Sequence, residues 1–119
     1  MENKRKIGKD YEQKAAEYLE QKGFLILAKN FCSRYGEIDL IAKDDGYVVF
    51  IEVKYRRDGS CGDPLEAVNA VKQKRICRTA SYFCIRHGYP DTTPCRFDVV
   101  ALTGEGEFVH IQNAFDYRF

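Results

Sequence analysis

The feature that most constrains this chain is Asp44-Asp45-Gly46, set between two runs rich in apolar and β-branched residues, 37–43 and 47–55. Asp-Gly between such runs is a strong short-range signal for a hairpin with a two-residue turn. A turn at Asp45 and Gly46 pairs Asp44 with Tyr47, so that every cross-strand pair has residue numbers summing to 91. Asp39 then falls opposite Glu52, and Glu37 opposite Lys54. All four share one face because strand side chains alternate with period 2. The other face reads Ile38, Leu40, Val49, Ile51 and Val53, an apolar set suited to a core.

Like charges facing each other destabilise a sheet, and carboxylates beside Val48 and Phe50 are costly to desolvate. A divalent cation would offset both, since Mg²⁺ is held by one or two carboxylates together with waters and substrate phosphates. Lys54, two residues beyond Glu52, would add a compact positive charge beside the metal and a bound phosphate. The competing arrangement is a surface ladder, with Glu37 paired to Lys54 and Asp39 in solvent.

Around this hairpin the spacing predicts a helix from about Ile7 to Lys22, with Ile7, Tyr11, Ala15, Tyr18 and Leu19 on one stripe and Gly23 as its stop. Glu12 precedes Ala15, Ala16 and Leu19 at i+3, i+4 and i+7, so it lies on that stripe and not with Glu17 and Glu20. It is either a satisfied edge residue or, with Asp39 and Glu52, the third carboxylate of a metal pocket. Phe24 to Phe31 suits a strand. A second helix is expected from near Pro64 to about His87, ended by Gly88 and Pro90, and two more strands near 96–102 and 107–112. The order α-β-β-β-α-β-β predicts one α/β domain over residues 1–119, with its core at about 7–115, a mixed sheet and helices on both faces.

Other classes find less support. No apolar run approaches the roughly 20 residues of a membrane helix, and Met1 to Lys6 lead into no apolar signal core, so a cytoplasmic protein without a membrane partner is expected. The cysteines at 32, 61, 77, 84 and 95 are odd in number and lack CxxC spacing, which argues against a disulfide framework or a zinc site. His87 and His110, the only histidines, have no neighbouring Cys, Asp or Glu pattern and read as structural or surface residues. Gly104-Glu105-Gly106 is a turn signal, not a phosphate loop. Tyr35, Tyr55 and Tyr82 read as core and rim packing before base stacking.

The net charge of +1 hides an asymmetry: residues 1–53 carry −1, residues 54–86 carry +5 and residues 87–119 carry −3. A basic middle third suits a polyanion such as nucleic acid, or a solvated helix face.

Gly36-Glu37-Ile38-Asp39-Leu40-Ile41 followed by Val48-Val49-Phe50-Ile51-Glu52-Val53-Lys54 resembles the PD-(D/E)XK nuclease motif. More closely, the chain resembles the YraN-like family of small bacterial proteins through Gly8 and Glu12, Arg34 to Ile41, Val48 to Arg56, Pro64 to Val68, Lys72 to Arg75, Arg96 to Ala101 and His110 to Phe115. The resemblance implies a restriction-endonuclease-like core related to archaeal Holliday junction resolvases. It implies Asp39, Glu52 and the carbonyl of Val53 as ligands of Mg²⁺ or Mn²⁺, Lys54 as the catalytic lysine, and Glu12 as the helix carboxylate of resolvase-like members. Ile38 stands where the motif has proline. Arg34, Arg56, Arg57, Lys72, Lys74, Arg75 and Arg78 are the candidate phosphate contacts. The leading expectation is a nuclease of branched or non-regular DNA, with DNA favoured over RNA and a homodimer favoured by a symmetric junction. The alternatives are a non-catalytic nucleic-acid-binding module and a protein-interaction adaptor.

Overall fold

A computed structural model describes residues 4–56 and 68–117, with side chains from Asp10 to Tyr55 and from Val68 to Tyr117. The first helix, α1, runs Lys4–Gln21. It closes with Gly23 N–H on the Glu20 carbonyl and Phe24 N–H on that of Leu19, both 3.0 Å, a Schellman stop that turns buried Phe24 back onto Leu19. Five strands follow in the expected order, β1 (Leu25–Ser33), β2 (Gly36–Asp44), β3 (Tyr47–Arg56), and, after helix α2 (Ala70–Arg86), β4 (Cys95–Thr103) and β5 (Phe108–Ile111).

The sheet order is the chain order, β1-β2-β3-β4-β5, antiparallel except for the parallel pair β3–β4 across the α2 crossover. In β3, Val48 and Phe50 pack with Ile76, Cys77, Ala80 and Phe83 of α2, whereas Val49 and Ile51 pack with Ala15, Ala16 and Leu19 of α1. The alternation of the central strand thus places one helix on each face of a mixed sheet. No helix among the described residues is long and apolar enough to cross a membrane.

The hairpin register is as expected. Asp45 and Gly46 both take positive φ, at 48° and 86°, and the pairs run from Asp44↔Tyr47 to Leu40↔Ile51. There the ladder ends. Asp39 and Glu52 are not a ladder pair, because residues 36–38 of β2 stay with β1 while β3 continues beside β4 to Arg56.

The expected core face also needs correction at Ile38. This residue packs on the α2 side with Ile41, whereas Leu40 packs on the α1 side, so the alternation of β2 slips by one residue at Asp39. β1 slips opposite it at Asn30, whose φ is +53°, and the register around the two positions is kept: Lys29↔Leu40 and Phe31↔Ile38.

The second helix starts later than the sequence suggests. Val68 and Asn69 are not helical, and the Asn69 side chain accepts the Lys72 backbone N–H at 2.9 Å, making Asn69 the N-cap of a helix that begins at Ala70. Pro64 itself lies outside the described residues.

Candidate active site

The parting of β2 and β3 opens the sheet on its α2 side. Gly36, Glu37, Asp39, Glu52, Asn69, Lys72, Arg75 and Ile76 line a groove there of about 480 Å³. The Asp39 carboxylate replaces the lost ladder, accepting the Val53 backbone N–H at 2.8 Å. A strand that leaves its neighbour would otherwise strand this donor; the side chain satisfies it and is itself fixed in place.

Glu52 is 6% exposed, and its Oε1 receives two ammonium groups, Lys54 Nζ at 3.1 Å and Lys72 Nζ in a short contact. Lys54 therefore pairs with its strand neighbour and not with Glu37, which is exposed at the groove's edge. Lys72, read from the sequence as a phosphate contact, is a direct partner of the buried carboxylate. From α1, Glu12 reaches the neighbourhood of Asn30 and Asp39, and its Oε2 is buried without a hydrogen-bond partner.

The electrostatics follow from this crowding. Burial, then the nearby Glu52 charge, raises the Asp39 pKa to about 8, against the pull of the Val53 N–H. Burial also raises Glu12, with Glu37 and Glu52 adding to it. Lys54 is lowered by burial and by the adjoining Lys72, against the attraction of Glu52. Burial pulls Lys72 down, but the bond to Glu52, the contact with Lys54 and the charges of Glu52 and Asp39 together hold it above its ordinary value. Asp39, Glu52 and Lys72 thus line the groove with Lys54 and Glu12 beside them, and the charged forms of Asp39, Glu12 and Lys54 are the ones disfavoured.

Among the described residues, no group of three or more Asp, Glu, His or Cys side chains is arranged to hold a metal ion by itself. Yet the donor chemistry suits a hard cation that keeps its waters: Glu12 Oε2 is an orphaned buried oxygen, and Asp39 lies among like charges.

The remaining candidates are spread more widely. Arg75 lines the groove, and Lys74 and Arg78 are exposed on α2. Arg78 lies over the Tyr35 ring at 5.8 Å, and Arg34 donates to the Tyr35 hydroxyl at 2.9 Å. Arg57 and the Arg56 side chain lie outside the described residues. Gly36 carries the close approach of α2: a Cβ there, at φ +156°, would stand 3.4 Å from the Arg75 Cβ.

Sequence reasoning missed a second acidic centre. Asp98, on β4, accepts Arg96 Nε at 2.9 Å, Arg96 Nη2 at 3.0 Å, His110 at 2.8 Å and the Asn113 N–H at 3.0 Å. His110 thus has an acidic partner that local spacing does not reveal. The available signal was Arg96 and Asp98 at i and i+2, sharing a face of an otherwise apolar strand. His87 is structural, stacked on Phe83 at 4.1 Å at the end of α2.

Among the described residues, two helices and a five-stranded mixed sheet, with a charged groove where two strands part, define the class as a mixed α/β domain. The chain is 48% identical over 114 residues to a UPF0102 protein of Lachnoclostridium phytofermentans, covering 96% of each. It is 49% identical to one of Symbiobacterium thermophilum, covering 93% of this chain and 97% of the relative. A UPF0102 protein of Coxiella burnetii is 39% identical over 96% of this chain and 95% of the relative. The chain belongs to the family described as Uncharacterised protein family UPF0102, whose model matches residues 11–102.

Proposed function

We propose that this chain is a metal-dependent nuclease with a restriction-endonuclease-like core, hydrolysing phosphodiester bonds in branched or non-regular DNA. One observation carries the reading: Asp39 and Glu52 line the groove opened where β2 leaves β3, with Lys54 on Glu52. Asp39, Glu52 and the Val53 carbonyl, with Glu12 beside them, are the groups that would hold Mg²⁺ or Mn²⁺. Bound there, the ion would polarise the scissile phosphate and acidify a water.

The chain's own residues do the rest. Lys54, half-buried and lowered in pKa, orients the attacking water or stabilises the charge that develops on the phosphoryl oxygens. Lys72 holds Glu52 and lies ready to move onto a phosphate oxygen. Arg75 in the groove, with Arg34, Lys74 and Arg78 around it, and Arg56 and Arg57 from the sequence, would bind the phosphate backbone. Such contacts fix position and read little sequence, so binding weakens steeply with salt and selects structure over bases. A symmetric junction would be met by a homodimer.

A second reading, a nucleic-acid-binding module without turnover, is favoured by one observation: Glu52 Oε1 already carries two ammonium groups. Labelled duplex, single strand, flap, four-way junction and RNA, incubated with Mg²⁺ or Mn²⁺, separate the two. Cleavage of a branched DNA, reduced roughly 10²-fold or more in Asp39→Asn and Lys54→Ala while binding persists, is the expected result. Salt-sensitive binding without cleavage by wild type establishes the second reading. Neither binding nor cleavage sinks both.

A further inference from the structure

Helix α2 carries five cations and no acid over its 17 residues. Lys72, Arg75, Arg78, Tyr82 and Arg86 recur at intervals of three or four, so they lie on one stripe of the helix. The stripe begins in the groove, whose wall includes Lys72 and Arg75, and at 1.5 Å per residue it runs on for about 16 Å from Arg75 to Arg86. The turn between β1 and β2 is fastened beside it: Ser33 Oγ and Thr79 Oγ1 hydrogen-bond at 2.9 Å, and the Tyr35 N–H donates to Ser33 Oγ at 3.1 Å.

Along this stripe tyrosines, not carboxylates, hold the arginines. Arg34 lies 5.0 Å and Arg78 5.8 Å from the centre of the Tyr35 ring, and Arg34 Nη2 donates to the Tyr35 hydroxyl at 2.9 Å. One turn on, Arg86 Nη1 donates to the Tyr82 hydroxyl at 3.2 Å. Among the described residues, none of these three arginines is paired with a carboxylate. Their charge is therefore left for a ligand. Tyr82 is 39% exposed, and with Ser33, Arg34 and Tyr35 it lines a cavity of about 380 Å³.

We propose that this stripe is the track of an unpaired DNA strand leaving the groove, with a base stacked in the cavity of Tyr35 and Tyr82 and phosphates on Arg34, Arg78 and Arg86. The proposal rests on the nuclease reading of the groove and adds the feature of the branched substrate that is recognised. Exposed tyrosine decides between the forms of DNA. A duplex offers its phosphates to arginine but hides its base faces in the stack, whereas an unpaired strand offers both. Tyrosine rings and guanidinium planes each stack on bases of any sequence, which suits a site that reads structure.

The test titrates the full-length chain, in EDTA so that no strand is cut, into labelled oligothymidylate, an abasic oligomer of the same length and phosphate backbone, and a duplex. Fluorescence anisotropy of wild type should show oligothymidylate bound about tenfold more tightly than the abasic oligomer, and more tightly than the duplex. Tyr82→Ala should erase the advantage over the abasic oligomer, and Tyr82→Phe should keep it. Arg78→Ala should weaken both single strands alike and flatten their salt dependence. Equal binding of the two single strands by wild type, preference for the duplex, or a Tyr82→Ala protein that still discriminates would overturn the proposal. Cleavage of branched DNA with Mg²⁺ is read in parallel. Cleavage without base-dependent binding sinks the track alone, and base-dependent binding without cleavage sinks the nuclease reading alone.

Discussion

Asp98 and Asp39 are the same residue type on strands of one sheet, each set among charged side chains, and they are built to opposite specifications. Asp98 has a fully buried side chain, and two cationic or imidazole side chains and a backbone N–H converge on it. Despite burial its pKa is held below the ordinary value by His110, Arg96 and the Asn113 N–H. Asp39 keeps contact with the groove, receives one backbone N–H, and faces Glu52, Glu12 and Glu37, so its pKa is driven up. A buried carboxylate whose field is satisfied holds strands together. One whose field is left unbalanced marks a candidate functional site, here the proposed cation site. The first joins β4 to β5 and, through Arg96 and Asp44, to the end of β2; the second marks where β2 and β3 separate.

The contrast can be broken by substitution. Asp98→Ala leaves Arg96 and His110 without their buried counter-charge and should cost about 3–5 kcal/mol in urea unfolding. The depressed pKa of Asp98 gives a sign in pH: its contribution is present above the ordinary value of 3.8 and lost as pH falls through the lower folded-state value. Acid titration of wild type should therefore show a loss of stability below about pH 4 that Asp98→Ala lacks.

Asp39→Asn should act in the opposite direction. At neutral pH the groove forces Asp39 to keep a proton that the unfolded chain gives up, so removing the acid should raise stability there by on the order of 1–2 kcal/mol, one pKa unit being worth about 1.4 kcal/mol before solvent screening. A loss as large as that of Asp98→Ala would show that Asp39 is a structural residue and erase the distinction.

The smallest effect sharpens the comparison from the helix side. Asn69→Ala removes the cap that starts α2 just ahead of Lys72 and should cost about 1 kcal/mol. Thermal melts at rising salt should show this variant losing more than wild type if the cap helps keep Lys72 on Glu52.

Much of the fold was legible because the Asp45-Gly46 turn sets a register by local chemistry, and period-2 alternation extends it along two strands. The same rule misplaced Ile38, since it assumes an unbroken ladder. The paired slips at Asn30 and Asp39 coincide with the parting of β2 from β3, where Asp39 takes the Val53 N–H, and neither strand alone announces that contact. The grouping of Asp39, Glu52 and Lys54 was readable for the related reason that all three belong to one hairpin. Lys72 on Glu52 was not, because its placement depends on where α2 starts and how it docks. The Asp98–His110 pair joins adjacent strands across a turn, and nothing in either segment alone announces it.

Calorimetric titration of Mg²⁺, and separately Mn²⁺, into the full-length protein at neutral pH tests most directly whether the unbalanced carboxylates serve to bind a cation. Wild type should bind with measurable heat at one site, and Asp39→Asn should lose that binding while melting at or above the wild-type temperature. No binding by wild type, or equal binding by both proteins, would contradict the assignment of Asp39 and Glu52 as a metal centre.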